Sequence, residues 1–327
     1  MLNKLPIILS LLVNLGLQAQ NKQKMEPATN PLLCDPGTGI CEIPGADSTA
    51  NHTVTAGKKP VKIIYFTDPI CSSCWGIEPQ LRKLKLEFAE TIEIEYRMGG
   101  LLPDWSYNSG GISKPSDVAH HWDEVSLHYK MPIDGDVWLE DPLPSSYPPS
   151  IAFKAAQLQN EHKAIQFLRI LREMVFLKKK NITKWEVIEE AGIQAGLDTR
   201  QLKTDFDGKA GKLFQDDLAL AKKMGVRGFP SVFITDSTGK SEFVYGSKPY
   251  AAYEEGIRKL YPSSEKTNYR KEWKDLFAYY PTLTTREFAE LSEVPFSVAE
   301  IMLEKLVADA ELSKYVTKNG PLWIRNK

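Results

Sequence analysis

The sequence predicts an α/β protein in which an all-helical domain interrupts a small sheet-and-helix domain, with a small C-terminal unit after it. Residues 61–98 read as strand, helix and strand, with two cysteines at the first strand-to-helix junction. A long stretch of helical patterns follows, and two further strands and a closing helix come after that. The predicted domains are residues 60–111 together with 225–261, the insertion at 112–224, and the C-terminal unit at 262–327.

The composition narrows the class of protein. The chain has 327 residues, of which 42% are hydrophobic and 25% charged, so it can build more than one apolar core. A formal net charge of −1 argues against nucleic acid or an anionic membrane surface as the partner. Four cysteines are too few for a fold held together by disulfides. We therefore expect no nucleic-acid partner and no stable membrane insertion.

The N-terminus has the three parts of a secretory signal. Residues 1–19 carry one lysine, an apolar run from Leu5 to Leu17, and an ending of Leu17-Gln18-Ala19. The apolar run is too short to span a bilayer. The sequence therefore predicts a signal peptide at 1–19 and a periplasmic or otherwise extracytoplasmic protein. Translation from Met25 is the alternative, and it would leave a cytoplasmic protein.

Residues 20–59 form an arm rich in proline, glycine, asparagine, threonine and serine, which predicts irregular structure. Cys34 and Cys41 flank an Asp-Pro-Gly-Thr-Gly turn that could bring their sulfur atoms together. Three interpretations remain: a structural loop disulfide, a second redox pair that relays to Cys71, and a metal pair. Export favours the loop disulfide, whereas a reducing cytoplasm favours metal or regulatory roles.

The central motif is a pair of cysteines at the start of a helix. Residues 61–66 form a β-rich run, and the apolar residues from Leu81 to Phe88 recur at helical spacing. Unpaired N–H groups in a first helical turn stabilise an anion, so the Cys71 thiolate should be favoured. Cys74 lies one turn later on the same face, and can resolve a mixed disulfide formed by Cys71. A structural disulfide and half of a zinc site are the alternatives, although no second closely spaced ligand pair follows.

The segment DPICSSCWGIEP resembles the active site of the DsbA family of thioredoxin-fold proteins, particularly its FrnE-like members and the YjbH-type (SpxH) adaptors. In that family a CxxC opens the first helix and a proline follows five residues after the second cysteine, where this chain has Pro79. The resemblance implies a thioredoxin-like fold. Ser72 and Ser73 replace the Pro-His of DsbA itself, which predicts a less depressed Cys71 pKa and a weaker oxidant.

The helical region at 112–224 corresponds to the insertion of DsbA relatives. The resemblance implies that it forms a lid over the CxxC and one wall of a substrate groove. His121, Glu124 and His128 would share a helix face, for which a polar surface is favoured over a metal site, so we predict no metal. Three tryptophans in or just before this region are predicted to be packing or groove residues rather than catalytic ones: Trp105, Trp122 and Trp138.

The interrupted fold resumes with strands at Ser231 to Thr235 and Ser241 to Tyr245 and a helix from Pro249 to Leu260. Phe229 and Pro230 come immediately before the first of these strands. The resemblance implies that this proline is cis and that the residue before it pairs, through its backbone, with an extended substrate beside the CxxC. The predicted substrate-binding residues are Phe229, Pro230 and Trp75.

The C-terminal unit is predicted to contain a helix at Thr267 to Tyr279, then helix, turn, helix and a hairpin around Asn319-Gly320, the outline of a winged helix. DNA binding needs a basic face, but this stretch is rich in acidic residues: Glu287, Glu290, Glu293, Glu300, Glu304, Asp309 and Glu311. The sequence therefore predicts packing or protein contact for this unit.

The predicted function is thiol–disulfide exchange on protein substrates with the help of a redox partner protein. Cys71 and Cys74 carry the electrons, so no dissociable cofactor is expected. The direction of exchange stays open. An adaptor that presents a partner to a ClpXP-type protease, with the cysteines as sensors, is the alternative. A kappa-type glutathione transferase is a third candidate. The CxxC argues against it, because those enzymes typically have serine at the active site.

Overall fold

A computed structural model describes residues 34–35, 37–42, 59–106 and 114–326. The predicted signal at 1–19 and the alternative start at Met25 lie outside these ranges. None of the helices in the described ranges is both long and apolar enough to cross a bilayer.

Ten strands and thirteen helices make up the described secondary structure. The strands are β1 Cys34–Asp35, β2 Ile40–Glu42, β3 Val61–Thr67, β4 Ile92–Met98, β5 Gly228–Phe229, β6 Ser231–Asp236, β7 Ser241–Tyr245, β8 Thr282–Thr284, β9 Leu312–Thr317 and β10 Gly320–Arg325. The helices are α1 Ser72–Gly76, α2 Glu78–Glu87, α3 Pro115–Tyr129, α4 Val137–Glu140, α5 Tyr147–Gln159, α6 Glu161–Leu177, α7 Trp185–Gln194, α8 Thr199–Asp207, α9 Ala210–Lys223, α10 Tyr250–Leu260, α11 Trp273–Tyr279, α12 Thr285–Ser292 and α13 Phe296–Ala308.

A four-stranded sheet of order β4-β3-β6-β7 is the centre of the fold. β3 runs parallel to β4 and antiparallel to β6, with Ile63 opposite both Ile94 and Ile234. The central strand β3 is buried along almost its whole length, as its apolar run predicts for a strand covered on both faces. The thioredoxin-like unit and its helical insertion are therefore confirmed.

The helix after β3 is divided in two, where the sequence predicted a single helix. α1 ends at Gly76, Ile77 has a non-helical ψ of 2°, and α2 begins at Glu78 with Pro79 in its first turn. A proline is tolerated there because first-turn N–H groups have no intrahelical acceptor.

The insertion contains helices α3 to α9 and no strand between residues 114 and 224. Helices α5 and α6 are separated at Asn160, which is the C-cap residue of the first and the N-cap residue of the second. The side chain of Asn160 accepts a 2.9 Å hydrogen bond from the Lys163 amide, which caps α6. Within the insertion, Trp138 packs edge-on against Trp105 and Trp122, as predicted for packing residues.

The C-terminal unit has its own small core around Leu276, Phe288 and Trp323. The predicted two helices and hairpin are present as α12, α13 and β9–β10, and β8 adds a third strand that the sequence analysis missed. The helix predicted to begin at Thr267 begins at Trp273 instead. The likeness of this unit to a winged helix stays a prediction.

Candidate functional site

The turn between β3 and α1 is held by one buried carboxylate. Asp68 accepts hydrogen bonds from the amides of Ile70 at 3.0 Å and Leu101 at 2.8 Å, and from the Ser146 hydroxyl at 2.8 Å. Its own carbonyl accepts from the Cys71 amide at 3.2 Å. Burial raises the pKa of Asp68 to about 6, although its hydrogen bonds oppose the shift. Asp68 thereby joins the cysteine turn to the insertion.

The two cysteines of the CxxC are free thiols that lie fully buried at the start of α1. Cys71 is the N-cap residue, and its sulfur accepts a 3.2 Å hydrogen bond from the Cys74 amide. The pair is therefore in the arrangement that thiol–disulfide chemistry requires.

Their ionisation differs from the sequence prediction, which favoured the Cys71 thiolate. Burial raises the pKa of Cys71 well above its ordinary value, and the hydrogen bond with Cys74 raises it further. The pKa of Cys74 is lowered: burial opposes this, but the hydrogen bond from Cys71, the charge of Arg172 and hydrogen bonds from Thr67 and Tyr65 outweigh it. The prediction of a favoured Cys71 thiolate is wrong for this structure. Desolvation of the buried thiolate outweighs the stabilising field of the short helix α1.

Arg172 on α6 is the charged group beside Cys74, and the sequence analysis did not find it. Its guanidinium is buried, donates to the Thr67 hydroxyl at 2.5 Å and pairs with the Glu78 carboxylate. Burial lowers the pKa of Arg172, but the neighbouring Tyr65, Glu78 and cysteine side chains outweigh this and raise it above its ordinary value. No local sequence pattern predicts a role for Arg172, because only the packing of α6 against β3 brings this residue to the cysteines.

Phe229 and Pro230 lie where the resemblance implies, and the peptide bond between them is cis. The backbone edge beside this bond is already paired with the N-terminal arm of the same chain. β2 runs antiparallel to β5, with Cys41 opposite Phe229 and Glu42 opposite Gly228. The edge assigned to an extended substrate is thus occupied by an internal strand.

The internal strand also brings a third cysteine to the CxxC. Cys41 is fully buried and takes part in a disulfide bond. Its sulfur lies 3.1 Å from the sulfur of Cys71. In the pairing of β1 with β2 the Cα of Cys34 is opposite that of Cys41. The side chain of Cys34 lies outside the described part of the chain, so the pairing of these two cysteines stays a prediction.

Trp75 does not fit its predicted role in substrate binding. Its side chain is completely buried, stacks on Phe176 and donates from its indole nitrogen to the Pro132 carbonyl at 3.0 Å. The guanidinium of Arg169 lies 4.3 Å from the indole ring centroid. The prediction is corrected because the insertion covers this side chain and leaves it no surface for a substrate.

The lid predicted over the CxxC is formed by α3. The hydroxyl of Tyr129, at the end of α3, hydrogen-bonds to that of Ser73 at 2.9 Å, and a Cβ at Gly76 would lie 2.6 Å from the Tyr129 ring. The histidines of α3 lie in different environments: His121 is buried, whereas Glu124 and His128 are exposed. They therefore do not form the shared face that was considered for a metal site.

A cavity of about 780 Å³ lies between α2, α6 and the C-terminal unit. Charged side chains of α2 and α6 line it. They include Glu78, Arg82, Lys85, Arg169, Arg172 and Glu173, which the sequence analysis did not single out.

Comparison with known folds agrees with this architecture. A family model described as Thioredoxin matches residues 65–255. The crystal structure of a protein assigned as a disulfide isomerase from Nitrosomonas europaea superposes with a TM-score of 0.53 at 18% identity, and the match covers 63% of this chain and 97% of that one. The fold, the CxxC and the cis-proline define a thioredoxin-fold protein of the DsbA type.

Comparison with curated proteins is more specific. The chain is 34% identical over 300 residues to the ClpXP adapter protein SpxH of Halalkalibacterium halodurans, covering 90% of this chain and 97% of the relative. It is 30% identical over 271 residues to SpxH of Bacillus subtilis, covering 81% and 89%. The chain therefore belongs to the SpxH family.

Proposed function

We propose that this protein is an adaptor that holds a partner protein for a ClpXP-type protease. The extent of the two matches carries the proposal. The disulfide isomerase fold accounts for 63% of this chain, whereas the SpxH relative matches 90% of it. The match to the adapter thus continues beyond the thioredoxin-like unit, into parts of the chain that a thiol oxidoreductase of this fold does not need.

The buried cysteines and the occupied β5 edge support binding of a partner protein rather than catalytic turnover of substrates. Cys71 and Cys74 have no exposed surface, and an internal strand pairs with the backbone of Phe229. Exchange with many different substrates requires an accessible thiolate, and the buried Cys71 is not one. A protein that chiefly holds a partner has no such requirement.

Thiol–disulfide exchange on protein substrates is the second candidate. It is favoured by the hydrogen-bonded pair Cys71 and Cys74 beside the cis bond of Phe229 and Pro230. The two functions differ in location as well as chemistry. The adaptor function belongs with the cytoplasm and translation from Met25, whereas oxidative folding belongs with export. Mass spectrometry of the native protein would identify its N-terminal residue and so distinguish export from translation at Met25.

The adaptor proposal is tested by deleting the gene and comparing the proteome with that of a strain lacking the protease subunit ClpP. A client should accumulate in both strains and be degraded by purified ClpXP when this protein is added. The variant Cys71→Ser/Cys74→Ser should retain stimulation of degradation and lose any reduction of insulin.

Two outcomes contradict the proposal. One is that no protein accumulates in both strains. The other is that the full chain fails to stimulate degradation of the accumulating protein while it catalyses insulin reduction at a rate that depends on Cys71. The second result would establish the oxidoreductase function in its place.

A further inference from the structure

We propose that this protein carries out thiol–disulfide exchange within its own chain, between the disulfide of Cys41 and the pair Cys71 and Cys74. The observation that carries this is the 3.1 Å separation of the Cys41 and Cys71 sulfurs. Exchange proceeds by attack of one sulfur on another, and these two atoms are already in contact. The inference goes beyond the adaptor function, since it concerns chemistry that needs no partner.

Backbone pairing holds Cys41 in this position. Cys41 lies directly opposite Phe229 across the β2–β5 ladder. On the other side of the turn, the Ser247 amide donates to the Gly39 carbonyl at 2.6 Å. Gly39 has a φ of 68°, and a Cβ there would lie 2.5 Å from the Cβ of Ser247. The arm therefore lies too close to Ser247 for any side chain at position 39. The sulfur contact is thus part of a docked strand.

The docked arm occupies the place of an extended substrate. β2 uses the backbone edge beside the cis-proline, and β2 also contacts α1, which carries the cysteines. A strand added to an exposed edge is a general mode of peptide recognition. The arm is therefore an internal substrate, with Cys41 as the sulfur that is attacked.

The exchange has two steps. Cys71 loses its proton to water, and the Cys71 thiolate attacks the Cys41 sulfur; a Cys41–Cys71 bond forms as the arm disulfide breaks, and its predicted partner Cys34 leaves as a thiolate that takes a proton from water. Cys74 then loses its proton and attacks Cys71, which forms the Cys71–Cys74 disulfide and releases the Cys41 thiolate for protonation. Two electrons move from the CxxC to the arm.

The environment of the CxxC fits the second step. The lowered pKa of Cys74 favours its thiolate, which is the nucleophile of that step. Arg172 stays charged beside Cys74 and stabilises negative charge on the pair. The exchange therefore needs nothing from outside the protein other than water.

The sulfur contact is tested with the full-length variant Cys34→Ser/Cys74→Ser, which leaves Cys41 and Cys71 as the two cysteines of the chain. In glutathione buffers, a Cys41–Cys71 bond should form in the monomer and persist at more than about 10 mM reduced glutathione, above the millimolar effective concentration of flexibly linked groups. The matched control Cys34→Ser/Cys71→Ser pairs Cys41 with Cys74 and should lose its bond at a concentration roughly tenfold lower.

The exchange itself is followed in the wild-type chain and in Cys74→Ser. Each protein, with the arm disulfide intact and the remaining thiols reduced, is acid-quenched over time, alkylated and mapped by mass spectrometry. Cys74→Ser should accumulate the Cys41–Cys71 bond, and the wild-type chain should form Cys71–Cys74 at a rate independent of protein concentration. Near-ultraviolet circular dichroism checks that each variant is folded.

The proposal is overturned if folded Cys34→Ser/Cys74→Ser loses its bond at submillimolar glutathione, or if no peptide joins Cys41 to Cys71 in folded Cys74→Ser. A rate that rises in proportion to protein concentration would also overturn it, because the exchange would then run between molecules. None of these results depends on a protease, so the adaptor function stands or fails separately.

Discussion

The carboxylate of Glu287, on α12 of the C-terminal unit, accepts two hydrogen bonds from the guanidinium of Arg169 on α6, at 2.7 and 3.0 Å. Arg82 on α2 lies 3.2 Å from the same carboxylate. Glu287 is completely buried, and these charges lower its pKa although burial opposes them. Three parts of the chain thus meet at one buried carboxylate.

Glu287→Leu should reduce the free energy of unfolding by about 3 to 5 kcal/mol, because it leaves Arg169 and Arg82 buried without their shared partner. Urea unfolding measures this. The control Glu290→Leu removes a partly exposed ion pair with Arg286 and should cost less than about 1 kcal/mol. Equal effects of the two substitutions would show that the buried network does not hold the unit in place. Since the folded pKa of Glu287 is depressed, its contribution is present above its unfolded pKa and is lost as the pH falls through the folded value.

Asp68 should give stability the opposite dependence on pH. Its pKa is about 6 in the folded state against 3.8 for the ordinary group, so the folded state binds the proton first as the pH falls. The unfavourable free energy of burying the ionised Asp68 carboxylate is fully present above pH 6, and it disappears below pH 3.8, where the group is protonated in both states. Its contribution to the free energy of unfolding should therefore increase by about 2 to 3 kcal/mol as the pH falls through that window. Asp68→Asn should flatten this part of the urea-derived profile, and an unchanged slope would contradict the assignment.

Displacing the arm should expose Cys71. Gly39→Ala places a methyl group 2.5 Å from Ser247 and should weaken docking, so alkylation of Cys71 by iodoacetamide should accelerate roughly tenfold or more as burial is lost. The control Gly239→Ala, in the β6–β7 turn, also has a positive φ but meets no atom within 4 Å. It should leave the alkylation rate unchanged. If the two variants react alike, the arm does not shield the site.

Arg172 should set the acidity of Cys74. In a Cys71→Ser background, Arg172→Met removes the positive charge and should raise the pKa of Cys74, as read from thiolate absorbance near 240 nm across pH. Arg172→Lys keeps a charge on a similar stem and should restore part of the shift. A structural role alone would predict similar titrations for the two variants.

The exposed apolar face of α13 should contribute to partner binding. Val298, Ile301 and Met302 share one side of this helix, and Ile301 is 71% exposed. Ile301→Glu should reduce client degradation by ClpXP roughly tenfold, which corresponds to about 1.4 kcal/mol of binding. Leu127→Glu, on α3, changes a side chain that is 72% exposed and should have little effect. Equal loss in both variants would assign the effect to added charge rather than to this face.

Local patterns were enough to predict the framework of the protein. The apolar run at Val61, the CxxC at the start of a helix, and the strands after Pro230 depend on neighbours in sequence, and each lies where the sequence predicted it. The helix boundaries were less well predicted because single capping residues such as Asn160 decide them.

The sequence by itself determined the α/β class and the helical region through local periodicity, and its CxxC and Phe-Pro motifs resemble a family that implied a cysteine pair beside a cis-proline. Only the tertiary structure decided the state of that pair. Burial of Cys71, the approach of Arg172 to Cys74, and the contact between Cys41 and Cys71 all join residues far apart in the chain. Desolvation and charge act through space, so their effect on the two thiols is settled by which elements pack around them.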